Sequence, residues 1–329
     1  MQLSVRRGKL SGATLGFALV AGLASTGISY GEEAVSVRLN WFATGYSAPF
    51  YLGVDKGWYK DAGLNVTVQE SQGSVLTVQQ VASGNSTFGF VSADAVLRVL
   101  AQGAPVKIVS TYTPTNGYCV MVRADSGIKS AKDLEGKTYA STAVSAIGKM
   151  LPMYLAANGV PPDSVKRISV DGTNLYAGFL ARQFEAQGAL SFDEPPRFNL
   201  QGTKVDCLPY ADAGLKMVGQ TLVTNTSMIE KHPDTVRHFV FVTLRAFEYS
   251  FDHPEEAAEA AKKLGGDAVK NTELSVAQLT AFSKLKGDPF GRTPKAEMES
   301  TIAIVREHFG IANVPTDLNK IATDEFLPN

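Results

Sequence analysis

Two large aromatic rings lie where the sequence pattern changes from strand to helix. Trp41 and Tyr46 are separated by Gly45 and small polar residues. An alternating segment, 35–39, precedes them and a helical segment, 49–62, follows. Rings at such a junction could stack on a planar ligand, because open α/β sheets bind ligands at the carboxyl ends of their strands. Either ring could instead belong to the core, since aromatic side chains dominate cores as well as binding sites.

Short polar and acidic side chains, with one further ring, occupy the corresponding junctions along the chain. They are Ser74, Ser92, Asp94, Tyr112, Thr142 and Glu194. Their hydroxyl and carboxylate groups could hold the N–H groups of a ligand by hydrogen bonds. Each acidic or hydroxyl group also has a local explanation, because Ser and Thr cap helices and first-turn carboxylates complement the helix dipole. Their common position at the strand ends favours a binding site.

Covalent catalysis has no support in the residue pattern. The four histidines, at 232, 238, 253 and 308, all belong to a helical C-terminal region. The chain contains no GxSxG, HExxH, Walker or dinucleotide-binding glycine pattern. Its two cysteines and four histidines lack the spacing of metal ligands. We therefore predict a protein that is not an enzyme and that holds neither a metal ion nor a cofactor.

The composition is that of a soluble globular protein. Of the 329 residues, 44% are hydrophobic and 19% are charged. That length allows two lobes with separate cores. Residues 1–31 contain three basic residues and no acid, so the remaining chain has 28 basic and 32 acidic residues and a net charge of −4. This balance does not indicate binding to nucleic acid or to an anionic membrane.

Residues 1–31 have the pattern of a secretory signal peptide. A basic segment, 6–9, precedes the apolar segment 15–23, and the small residues Ser29 and Gly31 flank Tyr30 just before Glu32. The apolar segment is too short for a permanent membrane span. We expect this segment to be cleaved and the mature protein to reside in the periplasm, with the exact cleavage point left open.

The two cysteines, Cys119 and Cys207, lie in strand-like segments far apart in sequence. An exported protein enters an oxidising compartment, in which they could form a disulfide. Two buried free thiols are as compatible with the sequence. Their pairing therefore stays open at this level.

Strand and helix patterns alternate from residue 35 to residue 111. Alternating or continuous apolar segments predict strands at 35–40, 65–70, 88–91 and 105–111. Helices are predicted at 49–62, 75–83 and 93–102, each ending at a glycine. Such alternation is typical of a parallel sheet covered by helices on both faces.

A turn-rich segment, 112–117, separates this set from a second α/β set. Its predicted strands are 118–123, 138–141, 167–170, 186–190 and 205–209, with helices at 146–158 and 175–183. A strand at 220–225 returns to the first set, and helices follow at 234–251, 254–264, 275–285 and 294–309. We predict a hinged clamshell with a helical C-terminal cap. One lobe contains 32–120 and 219–329, the other contains 121–218, and the hinge crossings lie near 118–123 and 210–219.

Four stretches of the sequence resemble those of a known family. They are LNW at 39–41 with APFY at 48–51, KGWYKDAGLNV at 56–66, GNSTFGFVSAD at 84–94 with GAPV at 103–106, and KDLEG at 132–136. In these stretches the chain resembles periplasmic substrate-binding proteins of ABC importers. It is most similar to the NMT1/THI5-like group, which includes binders of thiamine-precursor pyrimidines, sulfonates and nitrate. The resemblance implies a type II α/β clamshell that closes on a small molecule, acts as a monomer, and delivers its ligand to ABC permease and ATPase subunits.

Charge in the predicted cleft distinguishes among the ligands of this group. The cleft loops contain Asp94, Asp193 and Glu194, and Arg197 is their only basic neighbour. A carboxylate in a closing, low-dielectric cleft would repel an anion. From opposite lobes, Asp94 and Glu194 would instead accept hydrogen bonds from an amino group or a protonated ring nitrogen. We therefore expect an uncharged or cationic heterocycle, with an aminopyrimidine related to thiamine synthesis as the best candidate.

The remaining site residues have predicted roles with the same ligand. Trp41 and Tyr46 would stack on the ring and contribute about 0.5–1.5 kcal/mol beyond burial. Hydroxyl or backbone contacts would come from Ser74, Ser92 and Thr142.

Other functions stay open beside this one. The protein could bind a sulfonate, nitrate or an aromatic acid, or it could be the ligand-sensing subunit of a receptor. Eukaryotic members of the group synthesise the pyrimidine from their own histidine and carry a cysteine-rich motif. This chain has no such motif and no histidine before residue 232, which argues against a synthase.

Overall fold

The computed structural model describes residues 32–143 and 145–328, so the predicted signal peptide, 1–31, lies outside the described residues. Within them the chain forms ten β-strands and twelve α-helices. The strands are β1 (Glu33–Arg38), β2 (Leu64–Gln69), β3 (Phe88–Ser92), β4 (Val106–Thr111), β5 (Tyr118–Arg123), β6 (Thr138–Ser141), β7 (Lys166–Ser169), β8 (Ala186–Leu190), β9 (Val205–Pro209) and β10 (Gln220–Asn225). The helices are α1 (Ala48–Asp55), α2 (Trp58–Asp61), α3 (Ser74–Ala82), α4 (Ala93–Leu100), α5 (Ala146–Ala157), α6 (Gly172–Leu180), α7 (Glu194–Leu200), α8 (Thr226–Lys231), α9 (Pro233–Asp252), α10 (Pro254–Leu264), α11 (Thr272–Ser283) and α12 (Lys295–His308).

The first sheet has the strand order β2-β1-β3-β10-β4. Its strand β1 is parallel to β2 and β3, whereas β10 is antiparallel to β3 and β4. Phenylalanines of the sheet pack against the C-terminal helices, as Phe88 does by stacking on Phe239 with ring centroids 4.1 Å apart. Burying each such side chain contributes about 1.5–3 kcal/mol. The C-terminal helices are therefore part of the first lobe's core.

The second sheet has the strand order β7-β6-β8-β5-β9. Its strand β6 is parallel to β7 and β8, and β5 is antiparallel to β8 and β9. Both sheets are therefore mixed rather than purely parallel. The chain passes from the first sheet to the second at β5 and returns to the first sheet at β10. Each of these two strands is antiparallel to its neighbours.

The two crossings between the sheets are hydrogen-bonded to each other. The N–H of Gly219 donates to the Thr113 carbonyl at 3.0 Å, and that of Asn116 donates to the Met217 carbonyl at 2.7 Å. A Cβ at Gly219 would lie 2.2 Å from Thr113 Oγ1, so this close approach requires glycine. The first crossing is therefore 112–117, and the hinge predicted at 118–123 is instead the buried strand β5.

The two cysteines are joined in the second lobe. A disulfide connects Cys119 in β5 to Cys207 in β9, and their Cα atoms are 5.5 Å apart. It ties the edge strand β9 to its neighbour beside the buried rings of Phe179 and Phe198. In the part of the chain that the structure describes, no helix is both long and apolar enough to cross a bilayer.

Candidate ligand-binding site

Loops from both sheets enclose a cavity of about 430 Å³. The first lobe contributes the loop after β1, and the second contributes α6, one residue of β8, and residues of α7 and its two ends. We call this space the aromatic cavity. Its lining residues are Trp41, Phe42, Ala43, Thr44, Gly172, Leu175, Tyr176, Gln187, Asp193, Glu194, Arg197 and Gln201. Two predicted site residues from opposite lobes, Trp41 and Glu194, therefore line one space.

Two aromatic rings form the first-lobe wall of the aromatic cavity. Trp41 and Phe42 are 46% and 45% exposed, and their ring centroids lie 5.5 Å apart at an interplanar angle of 78°. Their loop is fixed by hydrogen bonds from Ser71 N–H to the Trp41 carbonyl at 3.2 Å and from Ala43 N–H to Glu70 Oε1 at 2.8 Å. Large rings held in the open offer a stacking surface, because a ligand that covers them removes apolar area from water.

Two consecutive carboxyl groups form part of the opposite wall. Asp193 and Glu194 follow β8, and two prolines in the first turn of α7 favour the helix start there. Glu194 Oε2 accepts a hydrogen bond from the N–H of Leu190 at 2.7 Å. Asp193 Oδ1 accepts one from the amide of Gln278 at 2.5 Å and lies 3.8 Å from the guanidinium of Arg197. Donors from the protein thus fix the orientation of both carboxyl groups.

Burial raises the pKa of both carboxyl groups. At Glu194 the negative charge of Asp193 adds to the effect of burial, and the pKa reaches about 8. At Asp193 the charge of Arg197 and the hydrogen bond from Gln278 oppose the rise. Glu194 is therefore the carboxyl group that keeps its proton at neutral pH, so one of its oxygens can donate while the other accepts.

Three polar atoms at the aromatic cavity have no hydrogen-bond partner among residues 32–143 and 145–328. They are Oγ1 of Thr44, the hydroxyl of Tyr176 and the side-chain carbonyl oxygen of Gln187, a residue that is 2% exposed. A buried polar atom without a partner costs about 1–3 kcal/mol. The three atoms are available to a polar ligand, which favours a binding role for this cavity.

A second cavity, of about 530 Å³, lies beside the first, since the consecutive residues Asn40 and Trp41 line one each. We call it the polar cavity. Its lining residues are Asn40, Gln72, Gly73, Ser74, Val75, Leu76, Gln79, Ser92, Asp94, Ala95, Arg98, Tyr118, Ser145, Ala146, Ile147, Leu190 and Gln220. The predicted residues Ser74, Ser92 and Asp94 therefore meet here and not in the aromatic cavity.

Hydrogen bonds organise the wall of the polar cavity. Asp94, 3% exposed at the start of α4, accepts from the hydroxyl of Tyr118 at 3.3 Å, which links the two lobes. Ser74 Oγ accepts from the N–H of Ser92 at 3.2 Å. Burial and the charge of Asp94 raise the pKa of Tyr118, so its hydroxyl stays protonated and can donate. Arg98, one turn after Asp94, brings a positive charge that the loop sequences do not contain.

The predicted stacking role of Tyr46 is wrong. Its side chain is 1% exposed and lies in the 3-10 helix Gly45–Ser47. The ring stacks on Phe282 of α11 at a centroid distance of 5.7 Å and meets Phe192 edge-on at 5.0 Å. Burial also raises its pKa. The ring belongs to the core because α11, more than 200 residues away in sequence, covers this loop.

Two other predicted residues lie outside both cavities. Tyr112 is fully buried, with ring centroids of Phe247 and Phe90 at 4.4 and 5.3 Å, so it packs under the C-terminal helices instead of facing a ligand. Thr142 lines a separate cavity of the second lobe, together with Lys149. Neither residue lines the aromatic or the polar cavity.

Besides Tyr176 and Gln187, the structure adds three residues that the sequence patterns did not single out. Phe42 directly follows Trp41 in the same loop, so its aromatic side chain could have been included among the predicted stacking residues. Arg98 lies four residues after Asp94 on α4, a spacing that places both on one helix face. Gln278 gave no local signal, because its hydrogen bonds reach partners 233 and 85 residues away in sequence.

Neither cavity contains histidine, and the described residues include no group of three or more His, Cys, Asp or Glu side chains placed to hold a metal ion. The residues that line the two cavities can stack, donate and accept hydrogen bonds, and carry charge. Such interactions can hold a small molecule without covalent chemistry.

A family model described as NMT1/THI5 like matches residues 44–257. Riboflavin-binding protein RibY of Chloroflexus aurantiacus is 24% identical to this chain over 314 residues, which cover 90% of this chain and 86% of RibY. A 4-amino-5-hydroxymethyl-2-methylpyrimidine phosphate synthase of Candida albicans is 27% identical over 240 residues, which cover 68% of this chain and 69% of the synthase.

The fold is similar to that of a solved periplasmic protein. The aliphatic sulphonate binding protein SsuA of Escherichia coli superposes with a TM-score of 0.69 at 15% identity, covering 88% of this chain and 91% of SsuA. At that identity the likeness concerns the fold alone. The predicted α/β clamshell, the two-lobed fold of periplasmic binding proteins, is thereby confirmed.

Proposed function

We propose a function that proceeds from one premise: this chain belongs to the NMT1/THI5-like family. We infer that it is the solute-binding component of an ABC import system. It captures a small planar nitrogen heterocycle, for which an aminopyrimidine is the best candidate, and delivers it to a membrane permease and its ATPase. The mature protein acts as a monomer in the periplasm and performs no covalent chemistry.

The observation that carries this proposal is the composition of the aromatic cavity. Trp41 and Phe42, both nearly half exposed, share one lined space with the adjacent carboxyl groups of Asp193 and Glu194. A flat ring that covers Trp41 gains the apolar burial and a stacking contribution of about 0.5–1.5 kcal/mol. The carboxyl groups then select rings that carry nitrogen donors or acceptors on their edge.

The protonation of Glu194 sharpens the match to an aminopyrimidine. A protonated carboxyl group presents one donor and one acceptor side by side, and burial with the Asp193 charge raises the Glu194 pKa to about 8. A 4-aminopyrimidine presents the complementary pair, an acceptor ring nitrogen beside a donor amino group. An anion is less favoured, because Arg197, the cation that lines this cavity, already lies 3.8 Å from Asp193.

The polar cavity accommodates the part of the ligand that is not a ring. Ser74, Ser92 and Asp94 offer hydroxyl and carboxylate groups there, and Tyr118 offers a phenol. Such groups recognise hydroxyl or amino substituents. The predicted residues of this cavity thus keep a binding role in the proposal, as neighbours of the ring site.

Capture proceeds by closure of the two lobes. We propose that two lobes, one built around the sheet of β1–β4 and β10 and the other around the sheet of β5–β9, approach each other by bending at the paired crossings. Because the Gly219 N–H and the Asn116 N–H join the two crossings, both segments bend together. Closure excludes water from the aromatic cavity, which strengthens the hydrogen bonds made there.

The names of the relatives support a nitrogen heterocycle. RibY is named for riboflavin, and the Candida albicans protein for a pyrimidine phosphate. The latter name also raises pyrimidine synthesis as a second candidate function. We favour binding without catalysis, because the described linings of both cavities hold no histidine that could donate its atoms.

Isothermal titration calorimetry of the purified protein tests the proposal. The ligands are 4-amino-5-hydroxymethyl-2-methylpyrimidine, riboflavin and ethanesulfonate. We expect the pyrimidine to bind with a micromolar or lower Kd. If only riboflavin binds, the stacking site is supported but the ligand is riboflavin and not the pyrimidine. If only ethanesulfonate binds, the proposal is contradicted. Release of a pyrimidine by the protein without added ligand would favour the synthase.

A further inference from the structure

Gln278 is a buried side chain that links the two walls of the aromatic cavity. It lies on α11 and is 1% exposed. Its side-chain oxygen accepts a hydrogen bond from the N–H of Gly45 at 2.8 Å, and its nitrogen donates to Asp193 Oδ1 at 2.5 Å. Both halves of the amide group are therefore engaged, as a buried glutamine requires.

The partners of Gln278 belong to the two loops that line the aromatic cavity. Gly45 ends the first-lobe loop that carries Trp41, and Asp193 precedes Glu194 in the second-lobe loop. The approach of α11 to the first loop is tight, since a Cβ at Gly45 would lie 2.1 Å from the backbone oxygen of Ser275. The helix therefore holds the amide at a fixed distance from both loops.

The polarity of the amide follows from its partners. A backbone N–H only donates, so the amide oxygen faces Gly45 and the NH₂ group faces Asp193. Asp193 must then present an acceptor, which an ionised carboxylate does best. This hydrogen bond favours the ionised form of Asp193, as does the guanidinium of Arg197 at 3.8 Å.

We propose that Gln278 is a positioning residue for ligand capture, whose amide holds the aromatic loop of the first lobe and the carboxyl loop of the second in the closed arrangement. Its effect on affinity rests on the proposed function, whereas its effect on closure does not. The residue touches no ligand in this scheme. It acts through the two loops and through the polarity that it imposes on Asp193.

An exchange of amide and carboxylate tests this role. Gln278→Glu still accepts from Gly45 but faces Asp193 with a second carboxylate, so we expect affinity for 4-amino-5-hydroxymethyl-2-methylpyrimidine to fall by about 10- to 100-fold. Adding Asp193→Asn restores a donor and an acceptor in reversed order. The double variant should then bind at least tenfold more tightly than Gln278→Glu alone. Thr280→Glu, an exposed position on the same helix, is the charge-matched control and should bind like the native protein.

Small-angle X-ray scattering of the ligand-free protein gives a readout that needs no ligand. Gln278→Glu should increase the radius of gyration, and the double variant should reverse the increase. If no pyrimidine binds but the scattering follows this order, the proposed ligand fails and the positioning role stands. If Gln278→Glu binds and scatters like the native protein, or if Asp193→Asn rescues neither property, the positioning role is wrong. Should Gln278→Glu lower the melting temperature sharply, Gln278→Met, which removes both hydrogen bonds without adding charge, must still weaken binding.

Discussion

The aromatic cavity is enclosed by loops that distant residues hold in place, whereas much of the polar cavity is formed by the starts of two neighbouring helices. In the aromatic cavity, Asp193 is oriented by Gln278 from a helix 85 residues further along the chain. In the polar cavity, Ser74 and Ser92 begin or cap α3 and α4 and bond to each other across 18 residues. One cavity thus depends on tertiary packing of the whole first lobe, and the other depends largely on local structure.

This difference suggests how the two cavities divide recognition. In the proposed function, the two exposed rings and two carboxyl groups of the aromatic cavity would discriminate between ring types. The hydroxyl groups and the single carboxylate of Asp94 in the polar cavity would accept many substituents. Substitutions in the aromatic cavity should therefore change affinity more than those in the polar cavity.

The largest expected effect is that of Trp41→Ala. Loss of the stacking surface should weaken pyrimidine binding by about 30- to 150-fold, from about 2–3 kcal/mol of lost burial and stacking. The melting temperature should change little, because 46% of the side chain is already exposed. Calorimetric titration and thermal unfolding measure the two quantities.

The matched control is Phe241→Ala on α9, whose ring is 52% exposed and lines neither cavity. It should leave affinity unchanged. If Trp41→Ala unfolds the protein or leaves binding intact, the aromatic loop is structural and the site lies elsewhere.

The next effect concerns the pH dependence of stability. The folded-state pKa of Glu194, about 8, is above its ordinary value of 4.5, so its stabilising contribution is fully present below 4.5 and is lost as the pH rises through 8. Glu194→Gln removes this titration. Between about pH 5 and pH 8 the free energy of unfolding of the native protein should therefore fall by about 2 kcal/mol relative to Glu194→Gln, less than the full shift implies because the side chain is partly open to the cavity.

Urea unfolding at several pH values measures this difference. Parallel pH profiles for the two proteins would mean that Glu194 is ionised in the folded state at neutral pH. The donor role of Glu194 toward a ring nitrogen would then be lost, and the comparison between the cavities would rest on stacking alone.

The contrast between the cavities also explains what the sequence could predict. The succession of strands and helices along the chain, the C-terminal helices and the polar groups at helix starts follow from local periodicity and capping. For this reason Ser74, Ser92 and Asp94 do come together. The sequence could not show which of Trp41 and Tyr46 is exposed, because the two rings lie five residues apart on one loop. Helix α11 covers Tyr46 and leaves Trp41 exposed. Gln278 could not be predicted for the same reason, because its hydrogen-bond partners are distant in sequence.

A smaller effect is expected for Asp94→Asn in the polar cavity. The variant keeps an acceptor for the Tyr118 hydroxyl but loses the charge that favours amino or hydroxyl substituents. Pyrimidine affinity should fall by about fivefold, corresponding to about 1 kcal/mol. Asp252→Asn, an exposed carboxylate at the end of α9, should have no effect. A loss as large as that of Trp41→Ala would mean that the polar cavity holds the ring.

The smallest effect separates two hydroxyl groups that the sequence treats alike. Ser74 lines the polar cavity. Thr142 lines a cavity of the second lobe that has no residue in common with the aromatic cavity and shares Ser145 with the polar cavity. Ser74→Ala should weaken binding by about twofold to threefold, since it removes one hydroxyl and the acceptor for the Ser92 N–H. Thr142→Ala should leave calorimetric affinity unchanged. If Thr142→Ala has the larger effect, the ligand enters between Thr142 and the first lobe, and the aromatic cavity is a wall of the cleft instead of its binding centre.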